Sequence, residues 1–570
     1  MNSKISIACL FLPLVPLLAN GASEEANIRF SPDLASQEVT GEFQPGSHVK
    51  LFIPNLPYLA ISHAVNAALV RPANNEQGWQ YDLATSHEVI DDKTWEFELR
   101  RDVVFQDGSE FDADSVLLNV EYFQQDPFTF SNFAEVLESV EKIGEYKVRF
   151  HLNQAHGVFM QDAMWLQFYT QDYLEKFGWN GKPTCPNLAE PGLYALGPYI
   201  LSEGYLEGDR RSSEVVLKAN PNYWGENKAK VETITIYTNL TVAEARDLTL
   251  FEEGEIDITF LPFADQAETV LSPFAKLAIS PSQNNYALHF NLFNGSEALI
   301  DERIRFVINR AIDQEYLLNL SMLGEGVLSP TMVSPHFYKL DEAIASLQDY
   351  FQEETSTNNT GLAGLRDMVA EFQRERGLNP SEPLQLSILT QESFRFLVND
   401  IKYFLAQVNI ELVINEVASE DLVFDQLLST GEYNNTVTWD LLIWGNYDWY
   451  KHPWSAFFVY QPNSQWSSIP ENEELQRFTD RLLQVSTDSE EYAPLIAEFI
   501  RHIHQSNYMV FLPTPNNVYA LNKEVSFTPG RSAFIYLRDL EVTSHHWSLR
   551  GEQLYPQQRM SPTMIQKEVL

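Results

Sequence analysis

Hydrophobic and polar residues alternate strictly from Trp95 to Leu99. The three apolar side chains of this segment fall on one face and the two glutamates on the other, which predicts a half-buried strand. A turn is predicted at 106–109, where Gln-Asp-Gly-Ser follows the apolar run. After Asp112 the apolar residues recur at helical spacing, so a helix is predicted there.

Strand-like and helix-like patterns alternate along most of the remaining chain. Predicted extended segments lie at 48–59, 136–143, 147–152, 233–237, 255–260, 286–291, 381–390, 411–414 and 441–444. Predicted helices lie at 243–253, 301–312, 394–408, 475–485 and 492–503. Strands that alternate with helices are typical of α/β lobes. A chain of 570 residues is long enough for at least two of them.

The first residues have the pattern of an export signal. A lysine precedes the almost wholly apolar residues 5–19, and the small residues at 20–23 suit cleavage. We expect residues 1–22 to be removed; a retained anchor is the alternative, although the apolar run is short for a membrane span. Cys9 would leave with the signal. The mature chain would keep Cys185 alone and form no internal disulfide.

Composition and motifs exclude several classes of function. The formal net charge of −41 repels phosphate backbones and argues against nucleic-acid binding. The chain has no Gly-x-x-x-x-Gly-Lys-Ser/Thr loop, no Gly-x-Ser-x-Gly turn and no His-Glu-x-x-His helix. We therefore expect no enzyme activity, no cofactor and no metal site. Aromatic residues make up 13% of the chain, enough for some Tyr and Trp to line a pocket.

An ordered set of motifs carries a family resemblance. The motifs are Trp-Glu-Phe-Glu-Leu-Arg-Arg-Asp-Val-Val-Phe-Gln-Asp-Gly at 95–108, Phe-Asp-Ala-Asp-Ser-Val at 111–116, Gly-Pro-Tyr at 197–199, Asn-Pro-Asn-Tyr-Trp at 220–224 and Phe-Glu-Glu-Gly-Glu-Ile-Asp-Ile at 251–258. Together they resemble the family 5 extracellular solute-binding proteins, which serve peptide, nickel and oligosaccharide ABC importers. The resemblance spans roughly residues 65–545.

The resemblance implies a two-lobed α/β fold of the periplasmic-binding-protein type. Its parts are a signal peptide at 1–22, lobe I at 23–284 with an extra subdomain at about 65–190, lobe II at 285–515, and a return to lobe I at 516–570. Two crossing strands, near 283–286 and 514–518, would form the hinge, and the ligand would bind between the lobes. The implied protein is a periplasmic monomer that delivers a small solute to the permease subunits of an ABC importer.

The segment 444–454, Trp-Gly-Asn-Tyr-Asp-Trp-Tyr-Lys-His-Pro-Trp, is the main candidate for the ligand site. In peptide-binding members of the family an acidic residue here pairs with the amino terminus of the peptide, and Asp448 is the matching carboxylate. A buried carboxylate gains most when it pairs with an ammonium group. His452-Pro453 stands where the family has Asp-Pro, and a turn in which Asp448 bonds its own backbone is the alternative.

Further candidates flank this segment or lie on other elements. Side chains that could stack on or pack against a solute, or pack in the core, are Asn446, Tyr447, Trp449, Tyr450 and Trp454. His289 and Asn291 lie near the predicted crossing, although a histidine on an apolar strand is often a core residue. Gln391 and Glu392 end a strand, where α/β lobes present residues to the cleft. Tyr58 is a candidate wall residue.

The ligand class stays open at this point. An oligopeptide-like solute is the first hypothesis, oligosaccharide is the second because of the aromatic content, and a nickel chelate is the third. A secreted hydrolase and a ligand sensor are alternatives of other classes. A hydrolase would need two carboxylates at a defined separation, and the sensors that share this fold carry a DNA-binding helix pair that this sequence lacks.

Overall fold

The structure is a computed structural model that describes most of the chain. The described residues are 29–30, 39–53, 57–125, 133–179, 190–204, 206–207, 210–329, 331, 333–351, 360–417, 422–423, 439–446, 448–461, 467–470, 472–532 and 534–551. The predicted export signal, Cys185 and Tyr447 lie outside them. Within these ranges no helix combines the length and apolar character needed to cross a bilayer.

The strands are numbered β1 to β24 in chain order. They are Arg29–Phe30, Gln44–Phe52, Val70–Pro72, Trp79–Tyr81, Ala84–Asp91, Thr94–Leu99, Leu137–Gly144, Lys147–Leu152, Tyr199–Glu203, Leu206–Glu207, Arg210–Arg211, Glu214–Ala219, Val231–Tyr237, Ile258–Phe260, Ala275–Pro281, Asn285–Phe290, Gly326–Val327, Leu384–Gln391, Ile410–Val417, Leu441–Asn446, Met509–Phe511, Thr514–Asn522, Val525–Ser526 and Glu541–Val542.

The helices are numbered α1 to α17 in chain order. They are Tyr58–Val65, Ala113–Gln125, Phe133–Val136, Phe159–Ala163, Gln171–Phe177, Val242–Leu250, Gln266–Leu271, Glu297–Ile300, Glu302–Ala311, Gln314–Tyr316, Leu340–Ser346, Leu362–Glu375, Arg395–Ala406, Trp454–Phe457, Glu473–Gln484, Tyr492–Gln505 and Trp547–Arg550.

Two sheets organise the two lobes. The strand order of the larger sheet is β1-β15-β22-β14-β2-β13-β12-β9, and β17 joins it at β22. The order of the second sheet is β19-β18-β20-β16-β21. We call the parts built around them lobe I and lobe II. A separate antiparallel sheet, β5-β6-β8-β7, contains the strand predicted from the alternating pattern at 95–99.

Two passages of the chain between the sheets lie at the ends of β15 and β21, and an additional excursion from the second sheet brings β17 to the first. The chain leaves lobe I between Pro281 and Asn285 and returns between Phe511 and Thr514. The two passages run side by side, because Pro281 is paired with Asn516 in the first sheet. A short third segment, β17, pairs with the first residues of β22 beside them. The division into 23–284, 285–515 and 516–570 stays a prediction, since sheet membership alone does not fix lobe boundaries.

Strand β2 covers the first residues of the segment predicted as extended at 48–59 and ends at Phe52. Helix α1 begins at Tyr58, directly after Pro57, and each of its eight residues is buried. A proline at the start of a helix loses no intrahelical hydrogen bond, so Pro57 is compatible with this helix. A helix that is buried on all sides has no polar face, and its sequence therefore lacks the period that reveals a surface helix.

Candidate functional site

The residues of the two passages are held together by side-chain amides. The Asn284 Nδ2 group donates to the Asn517 Oδ1 atom over 3.1 Å, and the Asn517 amide donates in turn to the Gly530 carbonyl over 3.2 Å. Both asparagines are buried. Because they lie on opposite passages, this contact links the two strands at the point where the lobes must rotate.

The Asn284–Asn517 contact allows a direct test of the hinge. We expect Asn517→Ala to lower the free energy of unfolding by about 1–3 kcal/mol, because the buried Nδ2 group of Asn284 loses its acceptor, whereas the Gly530 carbonyl keeps the Ser280 hydroxyl as a donor. Urea unfolding should show a lower midpoint with an unchanged slope. Asn415→Ala, at an exposed position of β19, is the matched control. Equal midpoints for the two variants would contradict the role given to the hinge.

A cavity of about 170 Å³ lies between the lobes beside this hinge. Lobe I contributes Ile53, Phe260 and Phe263 to its wall, and lobe II contributes Tyr286 and Phe394. The rings of Phe263 and Phe396 meet edge to face across the gap, with centroids 5.7 Å apart. Ligand pockets in two-lobed proteins are concave, mostly apolar and supplied with a few polar groups. Here the hinge asparagines are the polar groups.

Asp448 lies next to this cavity, on the turn after β20. Its backbone N–H donates to the Asn284 Oδ1 atom over 3.2 Å, which fixes it to the hinge. The carboxylate is completely buried. The backbone N–H of Lys451 faces it, but neither carboxylate oxygen has a hydrogen-bond partner of normal geometry. A buried carboxylate without such partners is costly, so it needs a compensating charge nearby.

The charged group nearest to the Asp448 carboxylate is the Lys451 ammonium, with Nζ 3.9 Å from Oδ2. Burial raises the pKa of Asp448, and the positive charge of Lys451 opposes that rise. Burial likewise lowers the pKa of Lys451, and Asp448 opposes that change. Desolvation is the larger cause for both groups, so the pair stabilises two charges that the dry environment disfavours.

Aromatic rings from both lobes surround this charged pair. The rings of Trp449 and Trp165 lie 6.4 Å apart, and those of Trp165 and Phe534 lie 6.0 Å apart. Tyr58 packs edge-on against Trp165 at 6.4 Å. The Lys451 Nζ atom lies 5.4 Å from the centre of the Phe534 ring. These contacts place the charged pair in an apolar environment.

Tyr450 connects the lobes by a hydrogen bond. Its hydroxyl donates to the Asp162 Oδ1 atom over 2.5 Å, and the other oxygen of Asp162 is held by His156. All three side chains are buried. Asp162 lies in α4, and the residues that follow α4 pack on α1 of lobe I. The contact therefore joins lobe I to the turn of lobe II that carries Asp448.

We expect Tyr450→Phe to weaken solute binding about tenfold or more. A hydrogen bond to a charged group contributes about 1.5–3 kcal/mol, and this one exists only when the lobes are together. Titration calorimetry with a bound solute would measure the change. Tyr460→Phe is the matched control, because the Tyr460 hydroxyl contacts the Met509 sulfur within lobe II. Similar affinities for the two variants would rule out a closing role for Tyr450.

The other predicted residues are distributed as follows. Trp454 is buried at the start of α14, and its backbone N–H donates to the His452 ring. Asn446 is the last residue of β20. His289 is buried in β16 and its pKa is lowered to about 3 by burial. Gln391 is buried at the end of β18, whereas Glu392 is exposed and lies 3.4 Å from Arg395.

Asn291 lies at the end of β16 that points away from the hinge. Its Nδ2 group donates to the Trp439 carbonyl, and its Oδ1 atom accepts from the backbone N–H groups of Phe293 and Asn294. The amide is thus occupied by the turn after β16. The structure does not bring Asn291 together with Asp448.

Sequence reasoning missed several residues of the site. Lys451, Asn284, Asp162, Trp165 and Phe534 contact Asp448 or its neighbouring residues, and none of them was predicted. Only Lys451 had a local signal, because it stands three positions after Asp448 in the quoted segment. The others approach from distant parts of the chain.

Comparison with known proteins places the chain in a family. The model of the bacterial extracellular solute-binding proteins, family 5 Middle, matches residues 78–468. Di/tripeptide-binding protein 3 of Pseudomonas aeruginosa is 27% identical over 285 residues, which are 46% of this chain and 51% of that protein. The chain therefore spans about half the length of this curated relative.

Solved structures share the fold at lower identity. Haemophilus influenzae OppA, in complex with RPPGFSPFR, has a TM-score of 0.68 at 16% identity; the match covers 88% of this chain and 100% of that one. NikA of Staphylococcus aureus, in complex with Ni(L-His)2, has a TM-score of 0.67 at 15% identity, with 87% and 100% covered. The two-lobed α/β prediction is confirmed by these neighbours. The chain belongs to the family 5 bacterial extracellular solute-binding proteins, which are binding receptors.

Proposed function

We propose that this chain is the periplasmic receptor of an ABC importer and binds an oligopeptide-like solute between its lobes. The observation that carries the proposal is the cavity at the hinge, whose wall is shared between lobe I and lobe II. A solute in that place contacts both lobes only when they are together, so binding favours the closed state. The di/tripeptide-binding relative supports a peptide as the solute.

The chemistry of the cavity suits part of a peptide. Its phenylalanine and isoleucine walls would receive an apolar side chain, and burial of that side chain contributes about 1.5–3 kcal/mol. The amides of Asn284 and Asn517 lie at the edge of the cavity, where peptide N–H and C=O groups need partners. The amine-pairing role expected for Asp448 stays a prediction. The Lys451 ammonium already lies 3.9 Å from the Asp448 carboxylate, where the amine of a peptide would have to pair.

The proposal includes the fate of the solute, the oligomeric state, the export and the lobe bounds of the chain. The chain would release its solute unchanged rather than act as an enzyme, work as a monomer with permease subunits, and reach the periplasm after loss of residues 1–22. Lobe II would comprise 285–515. In the described part of the chain, no group of three or more His, Cys, Asp or Glu side chains is placed to hold a metal ion.

Thermal unfolding with solute libraries tests the proposal. A ligand that binds only the folded chain at 100 times its Kd adds about 2.7 kcal/mol of stability, so di- to pentapeptides should raise the melting temperature. Oligosaccharides and nickel–histidine are the comparison sets. A rise with glycans and none with peptides would assign the oligosaccharide alternative. Chemical turnover of the bound solute would instead support a hydrolase.

A further inference from the structure

The cavity between the lobes has the size of a single six-membered ring. We call this cavity, beside Asn284 and Asn517, the hinge cavity. Its volume is about 170 Å³. An apolar protein cavity of ~150 Å³ stays dry and takes up benzene. The hinge cavity therefore has room for one phenyl-sized group and none for a second.

The wall of the hinge cavity is rich in aromatic rings and carries no charge. Five rings contribute to it: Phe260, Phe263, Tyr286, Phe394 and Phe396. None of the described side chains that line the cavity is charged. Burial raises the pKa of the Tyr286 hydroxyl, so this group stays neutral. A charged side chain that entered would lose its hydration and find no counter-ion in the wall.

The rings of the wall already pack edge to face. The planes of Phe263 and Phe396 are 84° apart, and those of Tyr286 and Phe394 are 89° apart with the ring centroids at 5.1 Å. Aromatic rings favour this geometry because the positive edge of one ring meets the negative face of the other. A phenyl ring in the cavity would extend this packing and gain more than an aliphatic group that buries the same area.

We propose that the hinge cavity is a pocket for one uncharged, phenyl-sized group of the solute, and that Phe263 of lobe I and Phe396 of lobe II are the rings that select it. This assignment rests on the proposed peptide function, for which the group is a phenylalanine side chain. A free aromatic molecule is the other source of the same chemistry. The bound ring contacts both lobes only when they are together, so it favours the closed state.

Matched peptides test the pocket. In alanine peptides of two to five residues, each position is replaced in turn by phenylalanine and by lysine, and titration calorimetry gives the affinities. At one position we expect phenylalanine to raise the affinity of the wild type about tenfold or more over alanine, because its ring leaves water. Lysine should give no gain. Equal affinities for phenylalanine and alanine at every position, or an equal gain from lysine, would overturn the assignment.

Two variants that fill the hinge cavity show whether the gain arises there. Ala60 in α1 and Val242 at the start of α6 line the cavity, so Ala60→Leu and Val242→Phe each place additional carbon atoms in it. Either variant should still bind the alanine peptide but lose the gain from phenylalanine. If Ala60→Leu does not fold, Val242→Phe decides alone. Ala243→Leu, at the exposed position next to Val242, is the matched control and should keep the gain. A gain that persists in the filled variants would place the ring elsewhere, and the assignment would fall.

Failure of the peptide function has a different outcome. If no peptide raises the melting temperature, the proposed function is wrong, and toluene then tests the pocket by itself. A rise in melting temperature with toluene in the wild type and in Ala243→Leu, but not in the filled variants, would keep the pocket and assign it to another aromatic solute. Without a rise in the wild type, the pocket would be refuted together with the peptide function.

Discussion

Gly157→Ala should lower solute affinity by about 10- to 100-fold while leaving the unliganded chain folded. In the structure the Gly157 N–H donates to the Leu483 carbonyl over 2.8 Å, at the end of α15 in lobe II. A Cβ atom at Gly157 would lie 2.3 Å from the Val485 carbonyl carbon and 2.4 Å from the Ser486 nitrogen. These are backbone atoms and cannot rotate away. Excess volume in a packed contact costs about 1–3 kcal/mol, which sets the expected loss.

The reason for a selective effect is that Gly157 and Val485 belong to different lobes. The steric conflict exists only when the lobes are together, so the melting temperature of the free chain should not change. Titration calorimetry measures the affinity, and Gly361→Ala is the control. Gly361 has φ = −66° and no heavy atom within 4 Å of an added Cβ. Unchanged solute affinity in Gly157→Ala would mean that the contact between 157 and 485 is not part of binding.

Asp448→Asn should lower the free energy of unfolding by about 3–5 kcal/mol near neutral pH. The variant leaves Lys451 buried without its counter-ion, and burial already lowers the pKa of that lysine. The loss cannot exceed about 5 kcal/mol, because the buried lysine can give up its proton instead of staying charged. Deprotonation at pH 7 of a lysine with the ordinary pKa of 10.5 costs about 5 kcal/mol. Urea unfolding of the variant and the wild type measures the difference.

The lowered pKa of Lys451 also determines how the stability of Asp448→Asn changes with pH. The pKa of Lys451 is lower in the folded chain than in the unfolded chain. Between these two pKa values the unfolded chain therefore binds more protons, and the free energy of unfolding rises with pH. The deficit of Asp448→Asn should therefore shrink as the pH rises above neutrality. The double variant Asp448→Asn/Lys451→Met should be at least as stable as the wild type, because no charge remains buried.

An exposed pair of the same charges provides the control for this cycle. Lys176 and Asp172 are 53% and 55% exposed and their charged atoms lie 2.6 Å apart on α5. Solvent screens such a pair, so Asp172→Asn and Lys176→Met should show little coupling. If the coupling energy of Asp448 and Lys451 were no larger than that of Asp172 and Lys176, Lys451 would not be the counter-ion that stabilises buried Asp448.

Local patterns predicted the elements that have one buried and one exposed face. The alternation at 95–99 became β6, and the helical spacings at 475–485 and 492–503 became α15 and α16. Helix α1 was missed because all of its residues are buried and it has no polar face. The predicted strand at 255–260 is shorter in the structure, where β14 begins only at Ile258.

The site was less accessible to sequence reasoning, for a physical reason. Asp448 was found through the family resemblance, but its contacts come from residues far away along the chain. Asn284 is 164 positions from Asp448, and Asp162 is 288 positions from Tyr450. No local pattern encodes such pairs, because they arise only when distant segments of the chain fold against one another. Lys451 was adjacent, yet a lysine is usually exposed, so its burial could not be foreseen from the sequence.

Closure of the lobes around the solute is the central claim, and a distance measurement tests it most directly. Two spin labels report the separation of the lobes once Cys185 is replaced by serine. One is placed at the exposed Glu88 in β5 and the other at the exposed Lys402 in α13 of lobe II. Addition of the solute that raises the melting temperature should shorten this distance in the wild type and leave it longer in Gly157→Ala. Tight binding of that solute with no change in the distance would contradict the account.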